Sequence, residues 1–340
     1  MSTHTAIATT SKGAFDAIQV PTDTPGPGEI LLKTEYSSMI AFDTYTTDLG
    51  YAVERYPLVL GFNASGVVKA VGPGVTGLVV NDRVGKSCLD DLQMLWFNVW
   101  HSVGYSLCIS GLARQGNAAV SQTACAKVSC HSRHCPSCEF KFLLFLMQIP
   151  DSLPLDAAVT IPDNFVTAFW ALFDNLKLTF PPTVPEKGAI APSPSFAETP
   201  ILIYGAGSTS GQYAIQLLKL AGYKNILATA SSKHHGHLRT LGATHTFDYS
   251  SANLMRDVEA AAGGKVSLIL DCVTAEGTLA KTSQIISSDG TIALLLPIKQ
   301  GDNVTGHPDA EMVMEPPHGV FPETVKVIGV KTFTYQTVSG

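Results

Sequence analysis

The run Gly205-Ala206-Gly207-Ser208-Thr209-Ser210-Gly211 lies between an apolar stretch, ILIY, and a helix-like stretch, QYAIQLLKLAG. The chemistry such a run offers is anion binding: small residues let the backbone approach a pyrophosphate, and the first turn of the helix presents N–H groups to it. Gly205-x-Gly207-x-x-x-Gly211 departs from the G-x-G-x-x-G spacing, whereas Ala206-x-Ser208-x-x-Gly211 fits the A-x-(G/S)-x-x-G variant. About 20 residues further on, an NAD-preferring site carries a carboxylate for the ribose 2'-hydroxyl. Here the stretch reads ATASSKHH. The hydroxyls of Ser231 and Ser232 and the ammonium of Lys233 suit a 2'-phosphate, which favours NADPH over NADH. The plainer reading of Lys233 is the start of a solvated helix.

A second set of reactive types is TACAKVSCHSRHCPSC, with Cys125, Cys130, Cys135, Cys138, His131 and His134. Cys135-x2-Cys138 would supply half of a tetrahedral zinc site. Six of the seven cysteines and two of the three tryptophans fall between residues 87 and 140, and no helical or alternating period persists there. This local shift reads as an anomalous insert, a retained intron or misjoined exon, and the expectation is that no metal is bound.

The elements that must position the first set fall into two groups. Residues 1–84 alternate short apolar runs with Gly and Pro, the rhythm of a small β-rich domain. From residue 200 the strand-like runs ILIYG, NILATA, HTFDY, VSLILDCV and TIALLLP mostly alternate with helical patterns, which argues for a doubly wound parallel sheet. DSLPLDAAVTIPDNFVTAFWALFDNLKL reads as two helical pieces between them. The 340 residues are 45% hydrophobic and 15% charged, with net charge −6 and no Lys/Arg run. That excludes an electrostatic footprint for nucleic acid or an anionic membrane and points to small-molecule partners. The first residues lack a basic and an apolar region, and the apolar runs fall short of the roughly 20 residues that span a bilayer, so a cytoplasmic location is expected.

Taken together, PGPGEILLKTEYSSM, LVLGFNASGVVKAVGPGVTGLVVNDRV, VTAFWALF and the glycine loop resemble the medium-chain dehydrogenase/reductase superfamily, specifically its zinc-independent branch of quinone oxidoreductases and fungal trans-acting enoyl reductases. The resemblance implies an α/β chain: a GroES-like β-rich catalytic domain over residues 1–180, with 87–140 as the anomalous insert, and a Rossmann NADP-binding domain over 199–330. It also implies a C-terminal return to the catalytic domain, which looks truncated here. Zinc-dependent members carry a Cys in the segment reading SSMIAFDTY and His-Glu after the glycine of GFNASG; this chain has no Cys there, and has Phe62 and Asn63. The chemistry left is hydride transfer from NADPH to an electron-poor alkene or quinone. FDTYTTDLGY is similar to the D-T-Y-x-x-S-G-x-Y pattern of quinone oxidoreductases, which puts Tyr45 and Tyr51 at the cleft mouth. Tyr45 would replace the lysine of enoyl reductases as a hydrogen-bond donor, and Tyr51 matches a proton-donating tyrosine. The resemblance further gives Thr167 a role at the nicotinamide and Tyr249 one beside the adenosine phosphate. The partners it implies are a small-molecule or acyl-thioester substrate and a polyketide synthase of secondary metabolism. The alternative is a catalytically impaired NADPH-binding protein.

Overall fold

The computed structural model describes residues 2–87, 120–129, 145–181, 196–300 and 311–331. Most of the cysteine-rich stretch, with the expectation about metal, lies outside the described residues, as does everything after residue 331.

In the N-terminal part, β1 (Thr3–Ser11), β2 (Ala14–Pro21), β3 (Glu29–Ser38), β4 (Leu58–Val59), β5 (Asn63–Val71), β6 (Arg83–Ser87), β7 (Val120–Ser129) and β8 (Phe145–Gln148) form two antiparallel sheets. Their orders are β2-β1-β4 and β7-β3-β5-β6-β8. Alternation along β3 buries Ile30 and Leu32 against Val68 and Val84, so one face of that sheet is a small core. β7 lies within the stretch expected to be anomalous; its backbone pairs with β3, Lys33 opposite Cys125. Between β3 and β4, α1 (Ala41–Thr44) runs into a π-helical turn, Tyr45–Leu49, which carries one of the two tyrosines of interest.

Two helices follow β8. α2 (Leu155–Ala158) is one turn, and α3 (Ile161–Phe169) continues into a second π-helical turn, Trp170–Asn175. Pro in the first turn of α3 is favourable because its missing N–H would have had no helical partner.

The C-terminal part alternates strand and helix as expected: β9 (Ile201–Tyr204), α4 (Thr209–Leu220), β10 (Ile226–Ala230), α5 (His235–Leu241), β11 (His245–Asp248), α6 (Leu254–Ala262), β12 (Val266–Asp271), α7 (Glu276–Ile285) and β13 (Ile286–Leu295). A short hairpin of β14 (Ile298–Lys299) and β15 (Met312–Val313) precedes β16 (Lys326–Val330). The sheet order β11-β10-β9-β12-β13-β16 is parallel throughout, the 3-2-1-4-5-6 winding of a Rossmann sheet.

β9 shows why the pattern folds this way. All four of its residues are buried: Ile201 and Ile203 enter a core with Phe165, Tyr213 and Leu217, while Leu202 and Tyr204 enter the opposite one with Leu254, Val258 and Leu279. A strand covered on both faces must be apolar at every position. The order reverses between β9 and β12, so the crevice for a ligand opens beyond the carboxyl ends of those two strands.

Candidate active site

At the end of β9 the chain turns through Gly205 with φ +76°, where a Cβ would stand 2.3 Å from Val273 Cγ2. Only glycine is accommodated there. Gly205 N donates to Thr229 Oγ1 and Ala206 N to the Thr229 carbonyl, which fixes the loop to β10. Ser208 caps α4 by accepting from Gly211 N at 3.1 Å. Gly211 is required for close packing, since a Cβ there would come 2.7 Å from Ala206 Cα. Gly207 differs: a Cβ would meet its nearest neighbours at 3.5 and 3.7 Å, an ordinary contact. The fold does not need glycine at that position, and its bareness leaves a cradle that fits a dinucleotide pyrophosphate at the start of a long helix. Gly211→Ala is expected to push α4 off the loop, costing about 1–3 kcal/mol and weakening dinucleotide binding at least ~10-fold. Thermal melting and a fluorescence titration of the nicotinamide check both.

The hydroxyl of Ser210 donates to Asn164 on α3 at 3.0 Å, and Phe165 packs edge-on against Tyr213 of α4. These contacts turn the face of α3 that carries Asn164 toward the loop. Thr167, three residues on and half-buried, shares that face. At the ribose end of the crevice, Ser231 is half-buried while Ser232 and Lys233 are exposed. Sequence reasoning found no carboxylate here, but β11 brings one: Asp248 Oδ2 accepts from Ser232 N at 3.2 Å, and hydrogen bonds from Ser250 hold its carboxyl below the usual range. Tyr249 follows it, exposed, and its carbonyl accepts from Lys281 Nζ.

Beyond the carboxyl end of β12 the two tyrosines meet residues of the β14–β15 segment. Lys299, 5% exposed, donates from Nζ to Tyr45 Oη at 3.1 Å, and Tyr51 Oη donates to Met314 Sδ at 3.4 Å. Lys299 is pinned by its backbone: its N–H donates to the Thr274 carbonyl, and it bridges Ala275. That turn is held by buried Asp271, which accepts from Val273 N, Thr274 N and Thr278 Oγ1. Burial raises the Asp271 carboxyl, opposed by those bonds and by the Lys299 charge. An ammonium donating to a phenol oxygen leaves the phenol's own O–H free to point elsewhere. Chemically, such a couple can serve as a proton donor backed by a cation. Sequence reasoning named Tyr45 but missed Lys299.

Asn63, named from the sequence only as standing where zinc-dependent members carry His-Glu, lies in a buried polar cluster. Asn63 Nδ2 donates to Asp163 Oδ2 and to Ser38 Oγ, and Asn63 Oδ1 has no partner among the described residues. Burial chiefly, opposed by the Asn63 bond and helped by the Asp43 charge, pushes the Asp163 carboxyl up to about 7. Asp43 accepts from Ile40 N and Gly61 N. Phe62 packs edge-on against Phe42, which in turn meets Tyr51. This donor set does not fit a catalytic zinc: it offers no thiolate or imidazole, Asp43 already accepts from two backbone N–H groups, and Asp163 holds its proton to near neutrality.

Residues 26–139 match the family described as alcohol dehydrogenase GroES-like domain, and residues 211–303 match that described as zinc-binding dehydrogenase. A trans-enoyl reductase of Aspergillus japonicus is 28% identical over 270 residues, 79% of this chain and 66% of that protein. A dual trans-enoyl reductase/FAD-dependent monooxygenase of Aspergillus terreus is 31% identical over 157 residues, 46% of this chain and 21% of that protein. The chain thus spans less than two thirds of the length of these relatives. The quinone oxidoreductase of Pseudomonas syringae pv. Tomato DC3000 superposes with a TM-score of 0.69 at 19% identity, covering 98% of this chain and 83% of that one. The β-rich sheets, the 3-2-1-4-5-6 sheet and the two matches in this order lead to one conclusion: the chain belongs to the medium-chain dehydrogenase/reductase superfamily, similar in sequence to fungal trans-enoyl reductases and in fold to a quinone oxidoreductase.

Proposed function

We propose that the chain is a zinc-independent, NADPH-dependent reductase of an activated C=C bond, acting on an α,β-unsaturated acyl thioester. The observation that carries this reading is the Lys299–Tyr45 couple, at 3.1 Å, whose lysine is fixed to the Thr274–Ala275 turn beyond the carboxyl end of β12. The phosphate loop and α3 would hold NADPH, which when bound would supply the hydride for the β-carbon of the alkene. Tyr45 gives its phenol proton to the α-carbon, and the Lys299 ammonium stabilises the oxygen that is left. Tyr51, on the same π-turn side of the cleft, borders the acyl chain. Asn164 and Thr167 orient the nicotinamide end through α3, while Ala206 to Gly211 hold the pyrophosphate. The relatives' names support an enoyl acceptor. The carrier of the acyl chain is then a polyketide synthase, and the reaction belongs to secondary metabolism. No helix among the described residues is long and apolar enough to cross a membrane.

The test is NADPH oxidation by the full chain with an unsaturated thioester, a quinone and no acceptor. Turnover with the thioester, unchanged by a chelator, is expected. NADPH binding with no oxidation by either acceptor would favour the non-catalytic alternative. NADPH is expected to bind at least ~10-fold more tightly than NADH, about 1.4 kcal/mol, through Ser231, Ser232 and Lys233. Lys233→Glu should reverse much of that preference; equal dissociation constants in the parent would remove it.

A further inference from the structure

We propose that Asp163 is a positioning residue of the reduction: paired with Asn63, it fixes α3, and with it the residues that orient the nicotinamide, against the N-terminal sheet, so that hydride transfer depends on that pair. The inference rests on the reductase reading above.

α3 stands between the two halves of the fold, and two of its successive residues bond to different halves. Asp163, 8% exposed, accepts from Asn63 Nδ2 of β5, which also donates to Ser38 Oγ of β3 at 3.2 Å. Asn164 accepts from Ser210 Oγ in the first turn of α4 at 3.0 Å, and Phe165 meets the Tyr213 ring edge-on with centroids 5.8 Å apart. Thr167 follows on the same helix. A helix is stiff, so a displacement at Asp163 is carried to Asn164 and Thr167.

The pair is matched to a protonated acid. A carboxylate offers acceptors only and leaves Asn63 Oδ1, which has no partner among the described residues, without a donor. A carboxylic acid adds one O–H, the donor that Asn63 Oδ1 lacks. An acid and a primary amide thus exchange two hydrogen bonds where a carboxylate and an amide make one. The surroundings favour the acid form, chiefly through burial. From α1 the Asp43 charge opposes a second negative charge. β3 and β5 present Ser38 and Asn63, which do not titrate. α4 reaches α3 through Ser210 and Tyr213, at Asn164 and Phe165, and Asp163 is the one titratable side chain of α3. No cation bonds to Asp163 among the described residues. Ionised, Asp163 would lose the O–H and face Asp43 as a like charge, and α3 would shift to relieve both.

The experiment is single-turnover hydride transfer from NADPH to an unsaturated thioester by the full chain, beside the NADPH dissociation constant, at about pH 6 and about pH 8.5. The proteins are the parent, Asp163→Asn and Asn63→Ala. Asparagine at 163 offers Asn63 an N–H and a carbonyl at any pH. The parent rate, taken relative to that of Asp163→Asn, should fall about tenfold from the lower to the higher pH, while each NADPH dissociation constant changes less than about threefold. Ionisation of Tyr45 and Lys299 is common to the two proteins and cancels in the ratio. The amplitude reports the folded fraction and the rate reports the geometry. Asn63→Ala removes the partner instead of the acid and should lower the rate about tenfold already at the lower pH, which keeps the inference open to refutation should Asp163→Asn fold poorly. A parent rate that tracks Asp163→Asn at both pH values, a fall confined to the amplitude, or a full rate in Asn63→Ala overturns the inference while leaving the reductase reading intact. Absence of hydride transfer from every protein at both pH values sinks the reductase reading and this inference with it.

Discussion

Lys299→Met is expected to lower turnover of an unsaturated thioester about 10²-fold while changing the NADPH dissociation constant less than about threefold. The substitution keeps an unbranched stem of similar length in a site that is 5% exposed, so packing is largely preserved. What it removes is the ammonium that donates to Tyr45 Oη, whose value appears only when the phenol oxygen takes on negative charge in the transition state. The nucleotide loop follows β9 rather than the β14–β15 segment and keeps its own bonds to Thr229. Tyr45→Phe should cause a loss of the same order, and the double variant should lose little more, because the two side chains act as one unit. Single-turnover rates measured beside equilibrium titrations check this; full turnover in Lys299→Met would take the couple out of the mechanism.

The second large effect concerns Asp163 and pH. Burial holds this carboxyl at about 7, against an ordinary value of 3.8. The folded protein therefore keeps the proton across a range in which the unfolded chain has released it. Stability from this group is full below about pH 4, falls as the pH rises, and is lost above about pH 7. A shift of this size corresponds to about 4 kcal/mol. Asp163→Asn stays neutral throughout, so its melting temperature should equal that of the parent near pH 5 or lie slightly below it. At pH 8 it should exceed the parent by on the order of 5 °C. Parallel melting curves for the two proteins from pH 5 to 8 would show that Asp163 ionises as an ordinary carboxylate.

Strands β9 and β10 were legible because each is short, mostly apolar and bounded by turn residues, as strands covered on both faces must be. The helix after the glycine loop, and the two pieces that became α2 and α3, were readable from their apolar period for the same reason. The loop itself could be placed because Gly205 and Gly211 are dictated by local contacts with Val273 and Ala206. Lys299 was hidden. In IALLLPIKQGD a lysine after an apolar run reads as a solvated strand end, and its burial follows only from pairing with Met312 and the bridge to Ala275. Asp163 was hidden in the same way. In IPDNFV it reads as an acid in a helix first turn, where it would favour the N-terminus, and its role depends on Asn63, 100 residues earlier. Asp248 reads as the end of a third strand, and only the parallel pairing of β10 with β11 sets it against Ser232. In each case the missing information is a contact between distant segments, which no local period encodes.

The most direct measurement of the central claim is label transfer. The full chain is incubated with an α,β-unsaturated thioester and NADPH bearing deuterium at the transferable position of the nicotinamide ring, and the product is read by mass spectrometry and NMR. The account predicts a saturated thioester with a single deuterium on the β-carbon and a solvent-derived proton on the α-carbon, formed about 10²-fold more slowly by Lys299→Met. NADPH that binds yet keeps its deuterium while the thioester stays unsaturated would contradict it.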